Sequence, residues 1–204
     1  MLELGVLISG RGSNLGAILD AIDDGRLAAR VGLVISNRKG AAGLERARAR
    51  GVPTAVISHR DHAGRERFDA ALVAALQAAG VQWVVLAGFM RIVTPVFLRA
   101  FPRRVINIHP SLLPAFVGVD AQGQALAYGV RFTGCTVHLV DEGVDAGPII
   151  AQAVVPVRPD DDREALAARI LIEEHRTLVE VLIAVARGDL RIDDHGEGRP
   201  RVRL

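Results

Sequence analysis

The chain has 204 residues, half of them hydrophobic, with a formal charge of +2, enough apolar material to bury a sizeable core without disulfides or metals. Its basic residues are almost all arginine, Lys39 being the only lysine, and they are scattered among acids, which argues against a nucleic-acid-binding stripe. The lone Cys135 has no partner for a disulfide-built secreted protein, and no apolar run is long enough for a signal peptide or membrane span. The expectation is a cytoplasmic protein bound to neither membrane nor nucleic acid.

Apolar runs of strand length alternate with amphipathic stretches, with glycine or proline at the junctions. This pattern predicts strands at 2–9, 31–36, 54–57, 83–87 and 105–109, and helices at 14–24, 43–50, 64–79 and 95–101. Such alternation marks an α/β fold, a Rossmann-like, mostly parallel sheet with helices on both faces. After Pro114 the pattern changes to a glycine-bearing loop, a short helix at 121–128, strands at 133–140 and 149–157, and a long helix at 162–187. A short edge strand is expected at 190–192. No polar or proline-rich linker divides the chain, so a single domain over 1–192 is expected, its two halves 1–110 and 111–192, the latter extending the sheet as a mixed C-terminal part. The mixed-charge stretch 193–204 reads as a solvated polar tail.

The most informative stretch runs from Asn107 through His109, Pro110, Ser111, Leu112 and Leu113 to Pro114. Residues i and i+2 of a strand share a face, so Asn107 and His109 present an amide and a group titrating near neutrality to one place, and Pro110 keeps His109 extended. That pair can polarise a carbonyl and carry a proton. Gly10, Arg11, Gly12, Ser13 and Asn14 close the first strand and open the first helix. Glycines there allow close approach of a ligand and helix amides favour an anion, although a simple turn capped by Ser13 or Asn14 is an equal alternative.

Ala87 to Val93 follow the fourth strand, at the carboxyl edge where parallel sheets bind ligands. Core packing accounts for Phe89 and Ile92 at least as well as ligand contact does. Asp141, Glu142 and Asp145 lie in a glycine-bearing loop without EF-hand spacing or a His/Cys cluster, which speaks against a metal. If that loop folds over the end of the Asn107 strand, Asp145 would sit beside His109 and favour its imidazolium. In the long helix, Leu166, Ile170, Glu174, Leu178 and Leu182 follow i, i+4 spacing. A carboxylate on that apolar stripe is costly unless paired, so Glu174 is either a ligand contact or the partner of a residue such as Arg169. His138, within an apolar run, reads as a satisfied core histidine.

Taken together, residues 10–14, 87–92, 107–114 and 141–148 resemble those of the phosphoribosylglycinamide formyltransferases, within the folate-dependent formyltransferase superfamily. The likeness covers nearly the whole chain and is sharpened by Ser36 and Asn37 and by Gly43 to Ala47. It implies transfer of a formyl group from 10-formyltetrahydrofolate, as co-substrate and without a metal, to the amine of glycinamide ribonucleotide, in an enzyme that is a monomer or homodimer. The implied catalytic residues are Asn107, His109 and Asp145. The same resemblance gives substrate contacts at Gly12, Ser13, Asn14 and Glu174, with 1–110 as the nucleotide-binding half and 111–192 as the folate-binding half. Folate contacts would be Arg91, Ile92 and Val93, the loop of Val140, Asp141, Glu142, Gly143 and Val144, apolar walls from Met90, Leu98 and Val105, and Arg65 for the glutamate tail.

The chain departs from the family pattern at Val117, at Asp120 to Gln122 and at Leu178 and Val179, the first two on the loop after Pro114. A formyltetrahydrofolate deformylase would keep the catalytic trio but usually carries an extra N-terminal domain. A methionyl-tRNA formyltransferase would add a C-terminal one. A nicotinamide-dependent dehydrogenase would want an acid where Ser36, Asn37, Arg38 and Lys39 follow the second strand. A non-catalytic metabolite-binding protein has no use for the trio.

Overall fold

The computed structural model describes residues 1–193 and 200–204, and the chain clusters into two units, Met1–Asn107 and Ile108–Leu204. The first contains β1 (Leu2–Ile8), α1 (Ser13–Asp23), β2 (Ala29–Ser36), α2 (Ala42–Arg48), β3 (Thr54–Val56), a 3-10 turn (His59–Asp61), α3 (Arg65–Ala78), β4 (Trp83–Leu86), α4 (Pro95–Ala100) and the start of β5 (Val105–His109). Its strands run in the order β3-β2-β1-β4-β5, and every pairing among them is parallel. Val6, Leu7, Ile8, Val34, Ile35, Val84 and Val85 are wholly buried, as the continuous apolar runs of a doubly covered parallel sheet require. Gly5 lets α3 lie close over β1, since a Cβ there would come within 2.5 Å of Leu76 Cδ2. The strand order reverses between β1 and β4, and the loops leaving their carboxyl ends flank the crevice where such sheets bind ligands.

The second unit contains α5 (Ala121–Tyr128), β6 (Phe132–Leu139), β7 (Ile149–Pro156), α6 (Arg163–Arg187), β8 (Arg191–Asp193) and β9 (Arg201–Arg203). β6 and β7 are antiparallel, with an irregularity between Val137 and His138, and α6 packs on both. The Asp162 carboxylate caps α6 by accepting from Ala165 N at 2.7 Å, and Gly188 ends it in the left-handed conformation with φ 76°. Leu166, Ile170, Leu178 and Leu182 are completely buried, each worth roughly 1.5–3 kcal/mol of apolar burial. That stripe anchors the helix to the hairpin.

Element boundaries fall within about two residues of the sequence pattern, with two differences of substance. The 3-10 turn at His59–Asp61 was not expected; it forms because the Ser58 hydroxyl accepts from Arg60 N at 3.2 Å. The strand expected near 190–192 pairs with β9 in a separate two-stranded ribbon instead of adding to the main sheet. Part of the expected polar tail is therefore strand, with Arg203 Nε 2.7 Å from Asp193 Oδ2. Residues 194–199 of that tail lie outside the described residues.

Candidate active site

In the second unit the side chains that can move protons gather around Asp145. His109 Nδ1 lies 3.4 Å from Asp145 Oδ2, and His109 Nε2 lies 2.8 Å from the Phe116 carbonyl oxygen. Each ring nitrogen therefore faces an oxygen acceptor. His109 is 5% exposed, which keeps the pair largely out of bulk water. Asn107 precedes His109 by two residues on β5 and is half-buried where its neighbours are buried.

Asp145 is positioned by its own loop. Its φ of 51° is in the left-handed region, uncommon for a residue with a side chain, and Oδ2 accepts from Gly118 N at 2.8 Å. A Cβ at Gly147 would overlap the Leu139 carbonyl, so only glycine lets the loop return this closely to β6, where Leu139 N donates to Pro148 O at 2.9 Å. The stretch before it is equally constrained. Thr136 Oγ1 donates to Ser111 O at 2.7 Å and accepts from Leu113 N at 3.0 Å and Gln152 Nε2 at 2.9 Å. One buried hydroxyl thereby fixes residues 111–113 against β6 and β7.

His138 Nε2 lies 3.8 Å from Asp145 Oδ1. Its Nδ1 donates to the Leu139 carbonyl at 2.9 Å, and burial pushes the ring's pKa below the usual histidine value. It is a satisfied buried histidine, as its apolar surroundings suggested, but it also borders the candidate acid. Nothing local in the sequence signals that proximity. The departures on the loop after Pro114 have structural roles. The Asp120 carboxylate caps α5 through Gly123 N at 3.2 Å and meets Arg163 Nε at 2.5 Å, and Gln124 Nε2 holds the Val117 and Val119 carbonyls at 3.1 and 2.9 Å.

In the first unit the glycine loop follows β1. Gly12, with φ 67°, caps α1 without a side chain, so neither Ser13 nor Asn14 is the cap that the sequence offered as an alternative. A Cβ on Gly12 would stand 2.7 Å from Gly43 Cα, and Gly43 N donates to Gly10 O at 3.1 Å. The two glycines form a backbone-on-backbone contact that sets the loop at the N-terminus of α1, where helix amides and dipole favour an anion. Ser9 Oγ donates to Asn37 Oδ1 at 2.7 Å and accepts from Met90 N at 2.8 Å, tying the ends of β1, β2 and β4 together.

After β4, Phe89 is buried and stacks on Phe68 with centroids 6.4 Å apart, whereas Ile92 and Met90 are 53% and 61% exposed. Core packing therefore explains Phe89 and not Ile92. Val93 and Val105 are buried, Leu98 is half-buried and Arg65 is exposed. Asp69 Oδ2 accepts from Thr94 N at 2.5 Å, fixing the end of the 91–94 loop, and burial pushes its carboxyl above the ordinary range, a contact that no local pattern signals. In the second unit, Val140 is half-buried while Asp141, Glu142, Gly143 and Val144 are exposed. Glu174 is buried on the α6 stripe. Arg169, considered as its partner, is bound by Asp161 at 2.6 Å, and that guanidinium holds the Asp161 carboxyl at about 2.

Residues 3–182 match the formyl transferase family. The chain belongs to that family, and a buried imidazole beside a carboxylate at the end of a parallel strand suits acyl-group chemistry. Among its relatives it is 48% identical to the phosphoribosylglycinamide formyltransferase of Mycobacterium tuberculosis (strain CDC 1551 / Oshkosh) over 184 residues, 90% of this chain and 85% of the relative. It is 52% identical over 191 residues, 93% of this chain, to the trifunctional purine biosynthetic protein adenosine-3 of Drosophila pseudoobscura pseudoobscura. It spans only 14% of that much longer protein. The crystal structure of glycinamide ribonucleotide transformylase 1 from Symbiobacterium toebii is similar with a TM-score of 0.95 and 53% identity, covering 100% of this chain and 94% of that one. The fold is accordingly α/β, mostly parallel, with an antiparallel C-terminal ribbon.

Proposed function

We propose that this chain transfers a formyl group from 10-formyltetrahydrofolate to the free amine of glycinamide ribonucleotide, a step of de novo purine biosynthesis. Family membership and the relatives support the reaction class, and the observation that carries it is the buried His109–Asp145 pair at 3.4 Å. In this reaction the amine attacks the formyl carbon, a new C–N bond forms, and the carbonyl oxygen becomes an oxyanion. The Asn107 amide and protonated His109 stabilise that oxygen, and Asp145 holds the imidazolium and, through a bridging water, moves the proton released by the amine toward the departing folate nitrogen. The old C–N bond then breaks, leaving the formylated amide and the deformylated folate.

Gly12, Ser13 and Asn14 bind the substrate phosphate, and Glu174, buried on α6, accepts from the ribose hydroxyls. The pterin is read by the backbone of Arg91, Ile92 and Val93 and by residues 140–144, with Met90, Leu98 and Val105 as apolar walls. Exposed Met90 and Ile92 side by side on a sheet's carboxyl edge support that assignment. Arg65 meets the folate's glutamate. The protein acts in the cytoplasm on these small molecules as a monomer or homodimer.

The test is the absorbance change as the formylated folate is consumed, with and without glycinamide ribonucleotide. Turnover is expected only with the ribonucleotide; equal rates would mean water is the acceptor and the chain is a deformylase. Glu174→Ala is expected to raise KM for the ribonucleotide roughly 10- to 100-fold with kcat little changed, as loss of hydrogen bonds to a charged group implies. Unaltered KM removes Glu174 from the substrate site.

A further inference from the structure

The first unit buries a carboxylate that the proposed chemistry does not use. Asp69 is 1% exposed and stands on α3 among the buried Phe68, Leu72 and Leu76, a face where an apolar side chain would pack at less cost. Burial raises its pKa, while bonding from Thr94 and the more distant charges of Arg65 and Arg91 pull it back. Among the described residues it forms no ion pair.

The group that Asp69 holds is the amide of Thr94, at 2.5 Å. Thr94 joins the loop after β4 to α4: its carbonyl accepts from Phe97 N at 3.0 Å and Leu98 N at 3.2 Å. With its amide on the carboxylate and its carbonyl in the first turn of α4, Thr94 cannot shift without breaking one set of bonds. The preceding residue of α3 anchors the other end of the loop. Phe68 and Phe89 stack with 6.4 Å between centroids and 15° between ring planes, and Met90 N donates to Ser9 Oγ at 2.8 Å.

Adjacent positions on one helix therefore fix both ends of a loop. Between the anchors, the amides of Arg91, Ile92 and Val93 donate to no protein group among the described residues, and Ile92 is 53% exposed. Backbone donors left without an internal partner suit a ligand only if their ends are held at the right spacing. A carboxylate does this better than an amide, because a charge-assisted bond is roughly twice as strong as a neutral one.

We propose that Asp69 is a positioning residue for the formyl donor: acting through the Thr94 amide, it holds the backbone of residues 91–93 at the spacing the donor's pterin reads. This rests on the function proposed above. Asp69 touches neither substrate, and its effect falls on the donor alone, since the glycine loop at the start of α1 is tied to Gly43 and not to α3.

The test compares the intact parent with Asp69→Asn, which keeps an oxygen for Thr94 but no charge, and with Asp69→Leu, which suits the apolar face and accepts nothing. Without ligand, the Thr94 amide is expected to resist hydrogen exchange in the parent and to lose that protection in Asp69→Leu, while the amides of β4 keep theirs. In initial-rate assays, KM for the formyl donor is expected to rise roughly threefold in Asp69→Asn and tenfold or more in Asp69→Leu, as a bond to a charged group is first weakened and then lost. Meanwhile kcat and KM for the ribonucleotide stay near the parent values. Folic acid, which carries the pterin without a transferable formyl group, is expected to lose affinity in the same order by calorimetry. Thr94 protection unchanged in Asp69→Leu overturns the proposal. So does a rise in both KM values together, or a lower melting temperature with donor KM unchanged, since either makes Asp69 a purely structural residue. If Asp69→Leu does not fold, Asp69→Asn decides by the same donor-specific rise. A parent that binds folic acid without turning over fails the proposed reaction alone, and the exchange and folic acid measurements still decide the role of Asp69; a parent that does not bind folic acid overturns both.

Discussion

Replacing Asp145 with asparagine isolates the charge of the carboxylate from its shape. The amide keeps an oxygen for the bond that Gly118 N now makes at 2.8 Å, and the side chain sits where only 12% of it reaches solvent, next to a His109 side chain only 6% exposed. Two unit charges at that pair's 3.4 Å separation attract by about 5 kcal/mol at an effective dielectric constant of about 20. Solvent and backbone dipoles recover part of this in the variant, leaving a loss of about 3–4 kcal/mol in any transition state that contains the imidazolium. That corresponds to roughly a 100- to 1000-fold fall in kcat. KM for both substrates is expected to stay near the parent value, and thermal unfolding and circular dichroism should match the parent. The assay is initial-rate absorbance of formyl-donor conversion from acid to alkaline pH. A well-folded Asp145→Asn enzyme turning over within about threefold of the parent would refute the role given to the carboxylate.

Gly12→Ala forces a side chain into a backbone with φ 67° and 2.7 Å from Gly43 Cα. It is expected to cost about 1–2 kcal/mol in denaturant melts and to raise KM for the ribonucleotide far more than it lowers kcat. Gly147→Ala drives a Cβ into the Leu139 carbonyl, so loss of stability by more than about 2 kcal/mol should accompany a fall in kcat, and an unchanged melt would contradict the packing described. Burial pushes the Cys135 thiol up to about 11. Its folded pKa exceeds the unfolded one, so the contribution is complete below about pH 8.5 and is lost as pH rises toward 11. Urea melts across that range should show the parent weakening by about 2–3 kcal/mol more than Cys135→Ala. Thiol reagents should label Cys135 only on unfolding.

Periodicity and punctuation were enough to read the main strands and helices. The runs that became β1, β2, β4 and β5 are apolar at successive positions because both faces of a parallel sheet are covered, and α6 carries its apolar residues every four positions because one face meets β6 and β7. The inward carboxylate of Glu174 and the i, i+2 spacing of Asn107 and His109 could be read in the same way. Each depends only on the geometry of a single element.

Tertiary contacts decided the rest. Asp145 lies 36 positions beyond His109 in the chain, and its approach to 3.4 Å depends on a left-handed backbone and on a glycine pressed against β6. His138 borders the same acid through that fold-back, and Gly12 requires Gly43 because two loops meet backbone to backbone. A strand was legible at 190–192, but its pairing with β9 and the Ser58-capped turn were hidden, since a short segment carries no pattern that names its partner. The sequence determines which face of each helix and strand is buried, because that is a local repeat. Which loops converge, and therefore where the imidazole–carboxylate pair sits, is set by steric fit between distant segments that no local pattern records.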